Sequence, residues 1–543
     1  MKKIIVTCAL PYANGEIHLG HLVEQIQADI WVRFNKLIGN SCLFIGADDT
    51  HGTPIMLKAE ELKITPEQLI SNVYDSHVSD FKNFNISYDE FYSTHSEENK
   101  ELVYDIFNKL LQNNKIVIKN ISQLYDESKG MFLPDRYIKG ICPKCASPDQ
   151  YGDNCESCGA TYNATELKDY YSLMSKNIPV IKSSEHYFFK LSECSEFLTQ
   201  WVNSKDRLSE EAKNKISEWL ISGLQDWDIS RDKPYFGFII PGTTDKFFYV
   251  WLDAPVGYMS SLLHYCKQNN LNFNEVWNGS EIFHFIGKDI LYFHGLFWPS
   301  VLHNSGYKTP DGIFVHGFLT INGKKMSKSR GTFITAKKYI ETGLNTEYYR
   351  YYIASKSSSK IDDLDFCIDD FIAKINSELI GKFINIASRI SFFLDKYYNN
   401  MLSEDIHNRD LLNHIISKKE IIYKLYLDRE YGKAIKIIKD LIDDVNLYVD
   451  QEKPWVLVKN EIQLPYLHQV CTVLINAFRL ISIYLQPILP ELVVKIENFL
   501  NLKSFEWSDL DYLIYGNKIN KYSHMLSRVE LNIVKRLVEN VKE

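Results

Sequence analysis

Ile4-Ile5-Val6-Thr7-Cys8-Ala9, running on through Leu10-Pro11-Tyr12-Ala13-Asn14-Gly15 to His18-Leu19-Gly20-His21, is the stretch on which the fold turns. Its first six residues are mostly apolar and β-branched and predict a strand. Pro11, Asn14 and Gly15 predict the turn that ends it, and Leu22, Ile26, Ile30 and Phe34 then recur at helical spacing. His18 and His21 therefore fall at a helix N-terminus. Unpaired backbone N–H groups and the positive end of the helix dipole favour an anion there, Gly20 permits close approach to the backbone, and two imidazoles add donors. Roughly 300 residues later Lys325-Met326-Ser327-Lys328-Ser329 follows an Asn322-Gly323 turn. Its ammonium and hydroxyl groups suit a short loop closing on the far phosphates of a triphosphate. His-x-Gly-His arises by chance about 0.02 times in a chain of this composition. Histidines that only cap a helix and a solvated lysine loop are the plain alternatives, and they leave the order and spacing of the two motifs unexplained.

Working outward, apolar runs at Ile4–Ala9, Cys42–Ala47, Phe247–Leu252, Ile282–Ile286 and Ile313–Ile321 end in glycine or polar residues and precede helical patterns. That alternation predicts a parallel α/β sheet, whose ligands bind beyond the carboxyl ends of the strands. Those ends carry Tyr12 and the histidines, Asp48-Asp49, Asp253-Ala254-Pro255 and Gly287-Lys288-Asp289. Asp49 reads either as the partner of a ligand's ammonium group or as a solvated turn acid. Asp289 reads equally as an acceptor for a ribose hydroxyl. Leu10, Tyr12, Trp251, Ala254, Pro255, Tyr258, Phe293 and His294 flank the strand ends; they read as ordinary core, or as an aromatic and apolar wall suited to a thioether.

The chain has 543 residues, 45% hydrophobic and 24% charged, which predicts at least two domains of ordinary globular composition. Met1-Lys2-Lys3 and the short apolar run after it read as a buried strand and not as a signal peptide, so a cytosolic location is expected. Cys471 to Leu489 is apolar enough to consider as a membrane span, but Asn476, Arg479 and Pro487 interrupt it and favour a core helix. A net charge of −8 excludes a non-specific nucleic-acid binder while leaving room for a local basic track.

Cys142-Pro-Lys-Cys145 and Cys155-Glu-Ser-Cys158 form two Cys-x-x-Cys pairs nine residues apart. Four thiolates on two tight turns suit one structural zinc ion with no open coordination position; disulfides and iron–sulfur ligation are the alternatives. Cys8, Cys42 and Cys471 sit in apolar runs and read as inert.

With these motifs on the page, the chain resembles the class I aminoacyl-tRNA synthetases and, within them, the methionyl-tRNA synthetase family. The likeness runs nearly the whole length. Its most specific pieces are Ala9–Gly15, Gly46-Ala47-Asp48-Asp49-Thr50-His51-Gly52, the four cysteines, Trp227-Asp228-Ile229-Ser230-Arg231-Asp232 and Tyr249-Val250-Trp251-Leu252-Asp253-Ala254-Pro255. The resemblance implies a split Rossmann-like parallel-sheet catalytic domain (1–115 and 231–331) and a zinc-binding connective insertion (116–230). A connecting domain (332–375) and an α-helical anticodon-binding bundle (376–543) follow. It implies ATP-dependent activation of L-methionine and its transfer to initiator and elongator methionine tRNAs.

The implied roles follow the motifs. His18, His21, Lys325 and Lys328 are catalytic, and His18, Gly20, His21, Gly287, Asp289 and Lys328 bind ATP with Mg²⁺. Leu10, Tyr12, Asp49, Trp251, Ala254, Pro255, Tyr258, Phe293 and His294 hold methionine. Arg231 assists substrate or tRNA-end positioning, with a surface salt bridge as its alternative. Ile375, Leu379, Phe383, Ile386 and Ile390 mark the first bundle helix. On it Asn385 and Arg389 share a face, and Pro454-Trp455 offers an aromatic platform. These four are the implied anticodon contacts, although on their own terms they read as a solvated polar pair and a core tryptophan. A monomer is expected. The rivals are a synthetase for another apolar amino acid, a nucleotidyltransferase with a similar His-x-Gly-His, and a non-catalytic tRNA-binding descendant, for which damaged phosphate motifs would be expected.

Overall fold

The computed structural model describes residues 1–152, 154–160, 162–204, 207–326 and 333–539. The chain opens with β1 (Lys3–Cys8), helix α1 (Leu19–Leu37), β2 (Ser41–Asp48) and β3 (Glu90–Ser93). An insertion follows. Its long strand β4 (Ile116–Asp126) pairs with the short β5 (Met131–Phe132), and a small sheet of β6 (Ile138–Ile141), β7 (Gln150–Tyr151) and β8 (Lys168–Ser172) carries the cysteines. The chain returns along β9 (Val180–Phe189), which pairs antiparallel with β4 from Ile116↔Phe189 to Tyr125↔Val180. It re-enters through β10 (Trp227–Asp228), β11 (Ser230–Asp232) and β12 (Lys246–Phe248). Then β13 (Glu281–Gly287) and β14 (Gly312–His316) complete a parallel sheet in the order β14-β13-β1-β2-β3. After it β15 (Leu319–Ile321), β16 (Lys324–Lys325) and β17 (Leu364–Phe366) make a separate three-stranded sheet.

Two of the expected strands are corrected. The run Phe247–Leu252 is not a strand of the parallel sheet: β12 stops at Phe248 and pairs antiparallel with β11, and Val250–Asp253 is a helical turn. A short fully apolar run has no period to tell strand from helix, and here it packs into the core as a turn. Ile313–Ile321 is two strands in two sheets, broken at Gly317. The edge strand β3 was not read from the sequence, being only four residues long and half-buried throughout.

The predicted stripe of α1 is buried completely, with Leu22, Ile26, Ile30 and Phe34 at 0% exposure. Its other faces are buried too, because helices Thr346–Lys356 and Lys419–Leu427 cover the side away from the sheet. Asp29 on α1 is consequently sealed off. Arg350 reaches it at 2.7 Å and spends its other donors on the carbonyls of Phe84, Asn85, Pro487 and Ile488 at 2.9–3.2 Å. Arg33 and the Ser87 N–H complete the carboxylate. Burial alone would raise the Asp29 carboxyl, but the two guanidinium groups hold it below the usual carboxylate range.

The C-terminal region is helical, as expected. Ile375, Leu379, Phe383, Ile386 and Ile390 are all buried, and Lys374–Ile384 is wound as a π-helix, which suits apolar residues spaced four apart. Among the described residues one helix is long and apolar enough to cross a membrane, with 83% of its apolar window buried inside the fold. Its polar interruptions have partners: Asn476 exchanges two bonds with the Ile514 backbone and Arg479 donates to the Tyr512 carbonyl.

Arg350→Ala leaves Asp29 buried beside Arg33 alone and strips four carbonyls of a donor. It should cost about 3–5 kcal/mol, read as a fall in the urea midpoint, whereas Asp29→Asn should cost less.

Candidate active site

One cavity of about 1240 Å³ opens at the carboxyl ends of β1, β2, β13 and β14. His18, Gly20, His21, Lys325 and Met326 line one part of it, and Gly287, Asp289, His316 and Phe318 another. Leu10, Tyr12, Asp49, Trp251, Ala254, Pro255, Tyr258 and His294 line a third. The structure thus brings together nearly every residue that the sequence singled out for substrate. Phe293 stands behind the wall, its ring stacked on Trp251 at 3.5 Å. Ser327, Lys328 and Ser329 lie outside the described residues.

His18 is the N-cap of α1. Its Nδ1 accepts the His21 N–H at 3.2 Å, and the His18 N–H reaches back toward His21 Nδ1 at 3.4 Å, so the pair forms a reciprocal capping box. Because each Nδ1 accepts, the neutral tautomers carry their proton on Nε2. The rings stack at 3.5 Å. Burial first, and then the neighbouring His18, hold His21 well below the usual imidazole range, so it acts as a neutral donor. A Cβ at Gly20 would come 2.6 Å from Met326 Cε, so the hairpin of the second motif lies directly against the helix start. That hairpin is β15–β16, closed by Asn322 and Gly323 at φ 47° and 73°, the conformation a tight two-residue hairpin turn demands. The two motifs of the opening stretch are therefore adjacent.

The neighbouring acids Asp48 and Asp49 have different tasks. Asp48 Oδ1 is 2.7 Å from His77 Nδ1, and His77 Nε2–H donates to the Gly15 carbonyl at 2.8 Å, which pins the loop between β1 and α1. Asp49 faces the cavity, and its Oδ1 is buried without a hydrogen-bond partner. Burial, and next the charge of Asp253, hold its carboxyl well above the usual carboxylate range. Such a group regains its charge when a cation shares the site. Asp253 lies deeper, bonded through Oδ2 to His51 Nδ1 at 2.6 Å, and His51 Nε2 meets His95 Nδ1 at 3.0 Å.

The aromatic part of the wall carries no charge. His294 Nδ1–H donates to the Ile290 carbonyl at 3.1 Å, leaving Nε2 to accept from the Tyr258 hydroxyl at 2.8 Å. Burial pushes His294 down to about 4, so it is neutral over the physiological range. In the second part of the cavity a Cβ on Gly287 would lie 2.6 Å from Asp289 Oδ1, so the carboxylate folds back over this glycine.

Several lining residues were not foreseen. Glu24 on α1 pairs with His316 Nε2 at 3.2 Å while His316 Nδ1–H donates to the Gly317 carbonyl. The break at Gly317 was the available signal, hidden by reading 313–321 as one strand. Arg231 makes the salt bridge that was its plain alternative, to Asp228 at 3.2 Å, and it also lines the cavity. His186, which also lines the cavity, has a carboxylate at each ring nitrogen. Burial would lower it, but its bonds to Asp228 and Asp232 outweigh that and raise it.

The sulfur atoms of Cys142, Cys145, Cys155 and Cys158 lie within 4.8 Å of one another. Two of the distances are 3.5 and 3.9 Å, near the roughly 3.8 Å spacing of four thiolates each about 2.3 Å from one zinc ion. The two pairs fold alike: Ala146 N–H bonds the Cys142 carbonyl as Gly159 N–H bonds that of Cys155. Backbone N–H groups also point at Cys142 Sγ and Cys155 Sγ. This group can hold a zinc ion.

In the helical region Asn385 is half-buried and donates to the Gly381 carbonyl at 2.9 Å, and Arg389 one turn on is exposed. Pro454 is buried, whereas Trp455 is 45% exposed, so the reading of Trp455 as core is corrected. Helices Asn385–Tyr398 and Pro454–Leu457 both pack on Leu464–Leu485.

A family model described as "tRNA synthetases class I (M)" matches residues 4–391. The methionine–tRNA ligase of Chromobacterium violaceum is 52% identical over 554 aligned residues, covering 100% of this chain and 80% of that protein. That of Francisella tularensis subsp. tularensis is 49% identical, with 100% and 81% covered. Among solved structures, Mycobacterium tuberculosis methionyl-tRNA synthetase in complex with methionyl-adenylate superposes with a TM-score of 0.81 at 22% identity, covering 97% of this chain and 99% of that one. Fold, family model and full-length identity agree, and the chain belongs to the methionyl-tRNA synthetases of class I.

Proposed function

We propose that the chain activates L-methionine with ATP to methionyl-adenylate and transfers the methionyl group to the terminal adenosine of initiator and elongator methionine tRNAs in the cytosol. The observation that carries this is the two-ended cavity. Neutral imidazole donors and Lys325 stand at one end, and an uncharged aromatic cup with the partnerless Asp49 oxygen at the other. A zwitterion with an apolar tail and a triphosphate would each find complementary groups there.

In this reading the Asp49 carboxylate receives the substrate ammonium. Leu10, Tyr12, Trp251, Ala254, Pro255, Tyr258 and His294 enclose the thioether by shape and dispersion, with Phe293 fixing the plane of Trp251. Arg231 faces the amino-acid carboxylate. One carboxylate oxygen attacks the α-phosphorus of ATP, the bond from that phosphorus to the bridging oxygen breaks, and pyrophosphate leaves. His18 and His21 donate through Nε2–H to the phosphate oxygens as charge builds, at the positive end of α1. Lys325 and Lys328 hold the departing pyrophosphate, for which Mg²⁺ enters as the counter-ion of ATP. Asp289 accepts from a ribose hydroxyl beside Gly287. A ribose hydroxyl of the tRNA end then attacks the methionyl carbonyl and AMP departs. Positioning and charge stabilisation carry both steps, and no protein nucleophile is needed.

Residues 116–230 act as the connective insertion over the acceptor end, stiffened by one zinc ion on the four cysteines, and 332–375 joins the two catalytic segments, 1–115 and 231–331, to the bundle 376–543. There Trp455, at the start of a helix after the buried Pro454, presents a face on which an anticodon base can stack, with Asn385 and Arg389 reading base edges.

Methionine-dependent ATP–pyrophosphate exchange, compared with leucine, isoleucine, valine and cysteine, tests the assignment; exchange driven by one of the others would overturn it. Asp49→Asn should raise the methionine KM about 10- to 100-fold, the value of one charge-assisted bond, with the ATP KM nearly unchanged. Trp455→Ala should spare exchange and weaken tRNA charging about tenfold or more. Chelation should release one zinc per chain and lower the melting temperature, with recovery on adding zinc back.

A further inference from the structure

His186 lies on β9 with its ring buried, 2.7 Å from Asp228 Oδ2 through Nδ1 and 2.9 Å from Asp232 Oδ2 through Nε2. Ionised carboxylates accept and do not donate, so the ring carries both protons and a positive charge. Asp232 Oδ1 is held by Lys246 and by the Ser184 hydroxyl, the latter at 2.9 Å. Asp228 Oδ1 takes the Ser230 N–H and hydroxyl at 3.1 and 3.2 Å. Both carboxylates are therefore engaged through both oxygens.

Asp228 Oδ2 has two cationic claimants. His186 holds it at 2.7 Å, whereas Arg231 Nη1 reaches the same oxygen at 3.2 Å and makes its shorter bond, 2.6 Å, to the Ser230 carbonyl. The guanidinium carbon lies over the Tyr249 ring, 3.7 Å from its centroid, and Arg231, Tyr249 and Trp251 line the same cavity. Without the imidazolium, Asp228 would present a full charge with Arg231 as its nearest cation. A planar fork and a carboxylate then close into a two-point pair, which commits the guanidinium to Asp228, itself a lining residue, in place of a ligand's carboxylate.

We infer that His186 is a positioning residue for amino-acid binding: by occupying Asp228 it holds Arg231 toward the substrate carboxylate, and through β9 it ties that reach to the insertion. This rests on the methionine-activation reading above. The groups facing His186 are Asp228 from β10, Arg231 and Asp232 from β11, and Lys246 from β12 beyond Asp232. Across the β4–β9 pairing stands Lys119, whose ammonium is spent on Asp226 at 2.6 Å. Loss of the imidazolium proton removes the positive charge shared by Asp228 and Asp232 and one of the two N–H donors, which leaves Asp228 more strongly drawn to Arg231, so methionine affinity falls as pH rises through the raised His186 pKa while ATP affinity does not.

The test is methionine-dependent pyrophosphate exchange by the intact, zinc-replete protein from about pH 6 to 9, in a double-mutant cycle. His186→Gln should raise the methionine KM about tenfold or more with little change in the ATP KM, and should add nothing in an Arg231→Ala background. His186→Lys, which keeps a cation, should recover part of the affinity and abolish the alkaline fall. Additive effects of His186→Gln and Arg231→Ala, or equal loss of methionine and ATP affinity, would overturn the inference. Should His186→Gln not fold, the unmodified protein against Arg231→Ala decides, because an alkaline fall of the same size in both also overturns it. Absence of any methionine-driven exchange in the unmodified protein would instead sink the parent reading.

Discussion

A guanidinium without access to water must find an acceptor for each of its five donors, and Arg350 finds them on three separated parts of the chain: Asp29 in α1, the carbonyls of Phe84 and Asn85, and those of Pro487 and Ile488. That single requirement locks the helix beneath the active site to the helical half of the molecule. The same carboxylate also takes Arg33, so the buried acid is balanced by two cations. Glu347, three residues before Arg350, receives the N–H groups of Glu491 and Leu492 and so caps the helix Pro490–Leu500 from the neighbouring domain. Helix Thr346–Lys356 is thus tied by charge and by capping to both sides it touches. The end of α1 that carries His18 and His21 inherits this rigidity, because the helix has no exposed face along which to shift.

The cavity built on that helix has a polarity set by burial. At the end lined by His18 and His21, burial keeps the His21 imidazole neutral, which suits an anion without placing a competing positive charge beside Lys325. At the other end Asp49 is an acid too deeply buried to hold its charge alone. A ligand that brings an ammonium to one end and phosphates to the other satisfies both, and the neutral His294–Tyr258 pair between buried walls offers no charge to attract a polar side chain in place of a thioether. Discrimination therefore rests on shape and dispersion, which separates methionine from shorter apolar amino acids only modestly per methylene. Its tightness depends on the stacked Trp251–Phe293 pair holding its place.

How much of this could be read from the sequence follows the range of each signal. The strand, turn and helix around His18 are local, and so is the Cys-x-x-Cys pattern; both were legible because a few adjacent residues dictate the backbone. The meeting of Gly20 with Met326 was legible only through the pairing of two motifs. The run Phe247–Leu252 failed because six apolar residues carry no period, and β3 because four half-buried residues carry no pattern. Glu24, His316 and His186 were missed for another reason. The meaning of each lies in a partner that only the fold supplies: Glu24 and His316 are 292 positions apart, and His186 lies 42 and 46 positions from its two acids.

The insertion shows why a group able to hold a metal stands where it does. The cluster of buried apolar residues beneath the cysteines is small, namely Leu124, Leu133, Ile138, Ala164 and Leu167. A core of that size cannot offset the chain entropy of the surrounding loops. Four thiolates closing on one ion would supply the missing cohesion at a point, and the β4–β9 hairpin runs from there as a two-stranded arm paired over ten positions. At the far end of that arm sits His186, bonded to the segment that holds Arg231. A flexible arm would leave those short bonds fluctuating with every movement of the insertion. An arm stiffened at its tip and pinned at its base by two carboxylates can instead transmit the position of the insertion to the amino-acid pocket, so an ion held by the four cysteines, far from the chemistry, would have a structural reason to matter for substrate binding.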